Sequence, residues 1–122
     1  MTEPAIARSA MTDSFPIERR SEVREPTNIR ARICYGENFG AWADCIIKNL
    51  SKSGAMLEVA AVYPIPQTFT LIHIPGGVAF TANIKWRRGD LCGVFMKDRT
   101  ELKLIPASEP NKIRDIWAAL AT

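Results

Sequence analysis

VAFTANIKWRRGDLCGVFM, residues 78–96, predicts the architecture of the whole chain. Apolar and polar side chains alternate through its first half, and a two-residue period is typical of a β-strand with one buried face. The Arg-Gly-Asp triplet at 88–90 predicts a tight turn into a second apolar run at 91–96. The stretch therefore predicts an antiparallel β-hairpin. Its alternating apolar series comprises Val78, Phe80, Ala82, Ile84 and Trp86.

Trp86 ends this series, and two interpretations of its position remain open. The core is the favoured place for the indole, because a large aromatic ring at the end of an apolar series usually contributes to packing. The alternative places Trp86 at the edge of a ligand site, beside the positive charges of Arg87 and Arg88.

Four further strands precede the hairpin and one helix follows it. Together they predict a mainly β fold, a six-stranded antiparallel β-barrel over 28–97 with a C-terminal α-helix over 108–121. Ser108 is the expected N-cap of the helix, which is expected to plug or cover an open end of the barrel. The strand runs, rich in alternating or β-branched residues, are 28–36, 41–49, 54–60 and 68–74.

Length and composition favour one globular domain. The chain has 122 residues, of which 47% are hydrophobic, and a formal net charge of +3. So mild a charge argues against DNA binding. Three cysteines without metal-ligand spacing predict buried or half-buried thiols in a reducing cytoplasm, with no metal site. No stretch resembles a signal peptide or is long enough to insert into a membrane, so a cytoplasmic protein is expected.

Two polar segments lie close to the first predicted strands. IERRSEVREP, residues 17–26, gathers three arginines and three glutamates, and taken alone it is typical of a solvated run of compensating charges. NLSKSGAML, residues 49–57, joins the second and third strands, and taken alone it is typical of a polar turn. Asn49 and Ser51 are two residues apart, so their side chains can share a face. Gly54 indicates either a positive φ or a close approach of another group to the backbone.

The two segments together resemble a known family. RSEVR at 20–24 fits the pattern RxxxR, and NLSKSG at 49–54 fits (D/N)xSxxG. In this order and on a six-strand pattern, the chain resembles the PilZ domain family over residues 18 to 120. Members of that family bind the bacterial second messenger cyclic di-GMP. The resemblance implies a PilZ domain at 18–122. Residues 1–17 are mixed in composition, with two prolines and no period, and predict a flexible tail. Residues 18–27 are predicted to form a switch segment that is mobile without ligand and folds over the barrel when the arginines bind phosphate.

The resemblance implies a role for each motif residue. Arg20 and Arg24 would clamp phosphate and guanine, because the guanidinium fork matches both groups. Asn49 would hydrogen-bond a guanine edge, and Ser51 would bond phosphate or base. Gly54 would let the backbone turn against the ligand. The family more often has Asp where this chain has Asn49, so the base contact is expected to differ.

Arg19 bears on the number of ligand molecules. An arginine directly before RxxxR resembles the family members that take an intercalated pair of cyclic di-GMP molecules. The resemblance therefore implies that two molecules can bind each chain.

The favoured function is a cyclic di-GMP receptor that regulates a protein partner in motility, chemotaxis or exopolysaccharide production. The alternative is a degenerate PilZ-like interaction module that no longer binds the nucleotide. A barrel that binds single-stranded nucleic acid is disfavoured, because the aromatic residues lie mostly on the apolar phase of the strands. His73 is assigned a structural role. The sequence offers no nucleophile–base pair, catalytic carboxylate pair or metal-ligand set, so an enzyme is not expected.

Overall fold

The computed structural model describes residues 25–121, which fold into six strands and one α-helix. The strands are β1 (Glu25–Tyr35), β2 (Ala41–Leu50), β3 (Gly54–Glu58), β4 (Thr68–His73), β5 (Val78–Arg88) and β6 (Leu91–Glu101), and the helix is α1 (Lys112–Leu120). Every pairing is antiparallel. The order β1-β2-β3-β6-β5-β4 closes on itself through the pairing of β4 with β1. The predicted mainly β fold with six antiparallel strands and a C-terminal helix is confirmed.

The interior of the barrel is filled by one phase of each strand. Side chains alternate across a strand, so one half of them points inward and the other half outward. Ile33 of β1 and Leu71 of β4 are paired partners and are fully buried. On β5 the predicted inward residues Val78, Phe80 and Ala82 are buried as well. Full burial of each large aliphatic side chain stabilises the fold by ~1.5–3 kcal/mol.

The helix begins later than the sequence pattern predicts. α1 starts at Lys112, and its N-cap is Asn111, whose side-chain oxygen accepts a hydrogen bond from the Arg114 backbone N–H at 2.9 Å. The prediction that Ser108 caps the helix is therefore wrong. Arg114 explains the later start, because its guanidinium donates to the carbonyls of Ile105 and Glu109 and so holds the preceding segment in a loop.

The helix packs on the outer wall of the barrel, and none of its residues belongs to the interior core cluster. Its apolar face packs on outward-facing residues of β1, β4 and β5, which form a second core cluster with Leu102. The Trp117 indole N–H donates to the Ile74 carbonyl at 2.8 Å and fixes the helix on this wall. The expectation that the helix plugs or covers an end is therefore wrong, because Cys34, Ile72 and Ala79 make the outer wall itself apolar.

Two strands extend beyond their predicted limits. β1 begins at Glu25 instead of Asn28, and the Thr27 hydroxyl donates to the Ile47 carbonyl at 2.5 Å. β6 continues to Glu101. Residues 25–27 of the predicted switch segment are therefore part of the sheet. The remainder of that segment, 18–24, and the predicted tail at 1–17 lie outside the described residues.

Candidate functional site

The polar bend between β2 and β3 holds the residues of the second motif. The Ser51 backbone N–H donates to the Gly54 carbonyl at 2.9 Å, and the Ser51 hydroxyl donates to the same oxygen at 3.2 Å. The neighbouring strand β6 supports the bend, because the Met96 backbone N–H donates to the Ser53 carbonyl at 2.8 Å. These bonds fix the course of the backbone from β2 into β3.

Gly54 does not have the positive φ that the sequence suggested as one possibility. Among the described glycines, positive φ values occur at Gly36, Gly77 and Gly89. Gly54 is a buried residue of regular β3 and pairs with Phe95 of β6. The other expectation, a close approach of another group to this backbone, stays a prediction.

The register of the sheet brings the start of β1 beside this bend. Pro26 pairs with Asn49, and Glu25 pairs with Leu50. Glu25 directly follows Arg24 in the sequence, so the first described residue after the first motif is one that pairs with the bend. The predicted ligand-binding residues Arg19, Arg20 and Arg24 themselves lie outside the described residues.

Asn49 belongs to a row of outward-facing residues that crosses four strands. Directly paired residues of an antiparallel sheet lie on the same face. Asn49 of β2 pairs with Met56 of β3, Met56 pairs with Gly93 of β6, and Gly93 pairs with Trp86 of β5. The second motif therefore shares one outer face with Trp86. This face lies on the wall that α1 does not cover.

Trp86 points out of the barrel, so the favoured interpretation of a core residue is wrong. Ile84 pairs with Val94 and Trp86 pairs with Gly93, which leaves Lys85 as an extra residue, a β-bulge. One extra residue moves every following side chain to the other face. The indole is therefore 36% exposed.

Gly93 provides the flat surface on which the indole of Trp86 lies. A Cβ atom added at Gly93 would be 2.2 Å from Nε1 and 2.4 Å from Cε2 of Trp86. Only a residue without a side chain allows this contact. On Trp86, the guanidinium of Arg88 lies 5.5 Å from the ring centroid. An aromatic ring held flat on a sheet, with a cation beside it, is a suitable surface for stacking a nucleobase.

A second exposed aromatic residue lies on the same face. Phe95 is 56% exposed, and the Lys85 ammonium lies 4.5 Å from the centroid of its ring. Sequence reasoning missed Phe95 and placed the aromatic residues mostly on the apolar phase. The available signal was the alternation of β6, in which Cys92, Val94 and Met96 are buried and Phe95 falls on the opposite phase.

A cavity of about 400 Å³ adjoins Ser51 at this end of the barrel. Leu50 and Met96 contribute apolar surface, while Arg99 lies over the Phe80 ring at 5.8 Å and also pairs with Glu101 at 2.6 Å. The lining has three basic side chains and one acidic side chain, and this net positive charge attracts anions. The charged residues of the lining are Lys52, Lys97, Asp98 and Arg99.

Arg87 and His73, which the sequence analysis also considered, make hydrogen bonds that stabilise the fold. Arg87 donates to the backbone carbonyls of Tyr63 at 2.6 Å and Ala60 at 2.9 Å, and so holds the loop before β4. The Nδ1 atom of His73 accepts a hydrogen bond from the Gly76 backbone N–H at 2.9 Å. Burial lowers the pKa of His73 from its ordinary value of 6.5, which favours the neutral ring that this bond requires.

The three cysteines are buried and unbridged, as the sequence predicted. Burial raises the pKa of Cys34 to about 11 and that of Cys45 to about 12, and it also raises the pKa of Cys92. Their thiols are therefore protonated at neutral pH and poorly nucleophilic.

Within residues 25–121, no three His, Cys, Asp or Glu side chains are grouped closely enough to hold a metal ion. The same range contains no helix with the length and apolar character that crossing a membrane requires.

Comparison with known proteins gives one match. No curated protein and no solved structure matched the chain. The sequence model of a family described as PilZ domain matches residues 18–105. This range contains the RxxxR segment, the bend between β2 and β3 and all six strands, and it ends before α1. The match covers well over half of the chain, which therefore belongs to the PilZ domain family.

Proposed function

We propose that this chain is a cytoplasmic receptor for cyclic di-GMP that binds the nucleotide on the outer face carrying Asn49, Ser51 and Trp86. Membership of the PilZ family suggests a cyclic di-GMP-binding or adaptor module, and domains of this family are generally non-enzymatic receptors. The observation that carries the proposal is the sheet register. It pairs Pro26 with Asn49 and thereby brings the chain directly after Arg24 to the bend of the second motif.

The arginines supply the contacts to phosphate. Cyclic di-GMP carries two phosphates and two guanines, and a guanidinium donates two parallel N–H bonds either to phosphate oxygens or to guanine O6 and N7. Arg20 and Arg24 fill this role, and Arg19 adds a third guanidinium that allows a second ligand molecule. Charge-assisted hydrogen bonds of this kind contribute ~1.5–3 kcal/mol each.

The barrel face supplies the contacts to the bases. Asn49 offers both a donor and an acceptor to a guanine edge. Trp86, held against Gly93 and 36% exposed, offers a flat ring on which that guanine stacks. Ser51 adds a hydroxyl next to the bend, and Gly54 places no side chain between the bend and a ligand.

Ligand binding is coupled to regulation through the segment before β1. Residues 18–24 are ordered over the barrel face by the ligand, at a cost of ~1–2 kcal/mol per residue of backbone entropy. The ordered segment and the bound nucleotide then form a new surface. A protein partner in motility, chemotaxis or exopolysaccharide production recognises that surface.

Calorimetric titration with cyclic di-GMP tests the proposal directly. Arg24→Ala is expected to weaken binding ~10- to 100-fold, because it removes one charge-assisted contact. Lys112→Ala is the matched control, since it also removes one positive charge but lies in α1 on the other wall of the barrel. Equal weakening by both variants would indicate a non-specific charge effect and would contradict the proposed site.

Absence of binding by the wild-type chain would favour the alternative function. The protein would then be a PilZ-like interaction module that has lost the nucleotide. Its exposed aromatic residues would contact a protein partner in place of a base.

A further inference from the structure

We propose that Phe95 and Lys85 form a second purine-stacking platform beside Trp86, which takes a second guanine base. This inference rests on the proposed function and extends it from one base to two. The base comes either from the other half of the same cyclic di-GMP molecule or from a second molecule. The chemistry of the site is the same in both cases.

Phe95 is among the large apolar side chains that the described sheet leaves exposed. On one side it pairs with Gly54, which has no side chain to cover the ring. On the other side it pairs with Asn83, whose side-chain oxygen accepts a hydrogen bond from the Thr68 hydroxyl. A phenylalanine that is 56% exposed in a paired strand leaves much of its apolar surface in water. A base that stacks on this ring removes apolar surface from water and therefore stabilises the complex.

The β-bulge places a cation over this ring. Lys85 is the extra residue between Ile84 and Trp86, and its ammonium lies 4.5 Å from the centroid of the Phe95 ring. This arrangement repeats the one at Trp86, where the Arg88 guanidinium lies 5.5 Å from the ring centroid. Each aromatic residue therefore has a positive group that moves off the ring when a base stacks on it and can then reach a guanine O6 or N7 or a neighbouring phosphate.

The separation of the two platforms suits two bases. Gly93, under the Trp86 ring, and Phe95 are two residues apart on the same face of β6. At ~3.4 Å per residue, they are separated by about 7 Å along the strand. Two aromatic residues side by side on a sheet are also the means by which small RNA-binding sheets stack successive bases. The row from Ser51 through Gly54 to Phe95 then parallels the row from Asn49 through Met56 to Gly93 and Trp86.

The test compares Phe95→Leu with two further variants in calorimetric titrations with cyclic di-GMP. Phe95→Leu keeps an apolar side chain but removes the ring, and Phe95→Trp restores a larger ring. Trp42→Leu is the matched control, because Trp42 is 54% exposed and has the guanidinium of Arg32 at 5.1 Å from its ring, but lies in β2 away from the second motif. Thermal unfolding of each variant verifies that it folds.

Phe95→Leu is expected to weaken binding ~5- to 150-fold or to lower the stoichiometry from two to one, whereas Trp42→Leu and Phe95→Trp bind as tightly as the wild type. Weaker binding at unchanged stoichiometry assigns both bases to one molecule. A drop from two to one assigns the second base to a second molecule. Wild-type affinity and stoichiometry in Phe95→Leu would overturn this inference and leave the proposed function intact. Failure of the wild-type chain to bind would overturn both.

Discussion

Gly93→Ala is expected to weaken cyclic di-GMP binding far more than it weakens the fold. The added Cβ would lie 2.2 Å from Nε1 and 2.4 Å from Cε2 of Trp86. Non-bonded carbon atoms require about 3.5 Å, so the indole has to move outward by more than 1 Å or leave the sheet. The flat ring on which a base is proposed to stack is then lost.

The two consequences of Gly93→Ala differ in size. Overpacking destabilises a folded protein by ~1–3 kcal/mol, but here the Trp86 ring lies at the surface and can move away. Replacing Gly by Ala also stabilises the fold by ~0.4–1 kcal/mol, because it reduces the conformational entropy of the unfolded chain. We therefore expect the free energy of unfolding to fall by no more than about 2 kcal/mol. Loss of one stacking contact weakens binding by ~1–3 kcal/mol, which corresponds to a ~5- to 150-fold increase in Kd.

A double-mutant cycle with Trp86→Ala isolates the cause. Calorimetry gives Kd for the wild type, both single variants and the double variant, and denaturant unfolding gives the stability of each. If Gly93 acts by seating the indole, the Gly93→Ala effect on Kd disappears once Trp86 is gone. An equal effect of Gly93→Ala with and without the indole would refute this reasoning, and so would wild-type affinity in the single variant.

Three further predictions concern stability and reactivity. Asn111→Ala removes the side-chain cap of α1 and is expected to lower the free energy of unfolding by ~1 kcal/mol in denaturant titrations, with Asn111→Asp, which keeps an acceptor, as the control. Because the pKa of His73 is lowered in the folded state, stability is expected to fall as pH drops below 6.5, and His73→Asn should flatten this fall in denaturant titrations at a series of pH values. The buried thiols of Cys34, Cys45 and Cys92 should resist a thiol reagent in the native protein at pH 7 and react fully in denaturant; fast labelling of the native protein would contradict the raised pKa values.

The alternation of apolar residues predicted the barrel but not the outward orientation of Trp86. Val78, Phe80 and Ala82 are inward because the two-residue period holds through them. Trp86 falls on the same phase in the sequence, yet it faces outward because β5 contains one residue more than β6 opposite it. A bulge is a property of two paired strands, and the period of one strand does not reveal it.

The candidate site depends on pairings between distant segments. Asn49, Ser51 and Gly54 were recognisable as a motif from local spacing, and their position on one polar bend follows from it. That Phe95 lies directly across from Gly54 follows only from the register of β3 with β6. The helix start was also beyond local reasoning, because Ser108 and Asn111 are both good N-caps and the contacts of Arg114 decide between them.

The pairing of the strands also limits how a partner could bind this protein. In residues 25–121 each strand pairs with a neighbour on both sides, although some parts pair on one side only, such as residues 41–45 of β2, which pair with β1 but not with β3. On the proposed ligand face Asn49, Met56 and Gly93 are paired on both sides, so a partner that binds there meets side chains and not an open strand edge. Recognition of this kind makes the exposed side chains of the wall, and not its backbone, the determinants of which partner responds.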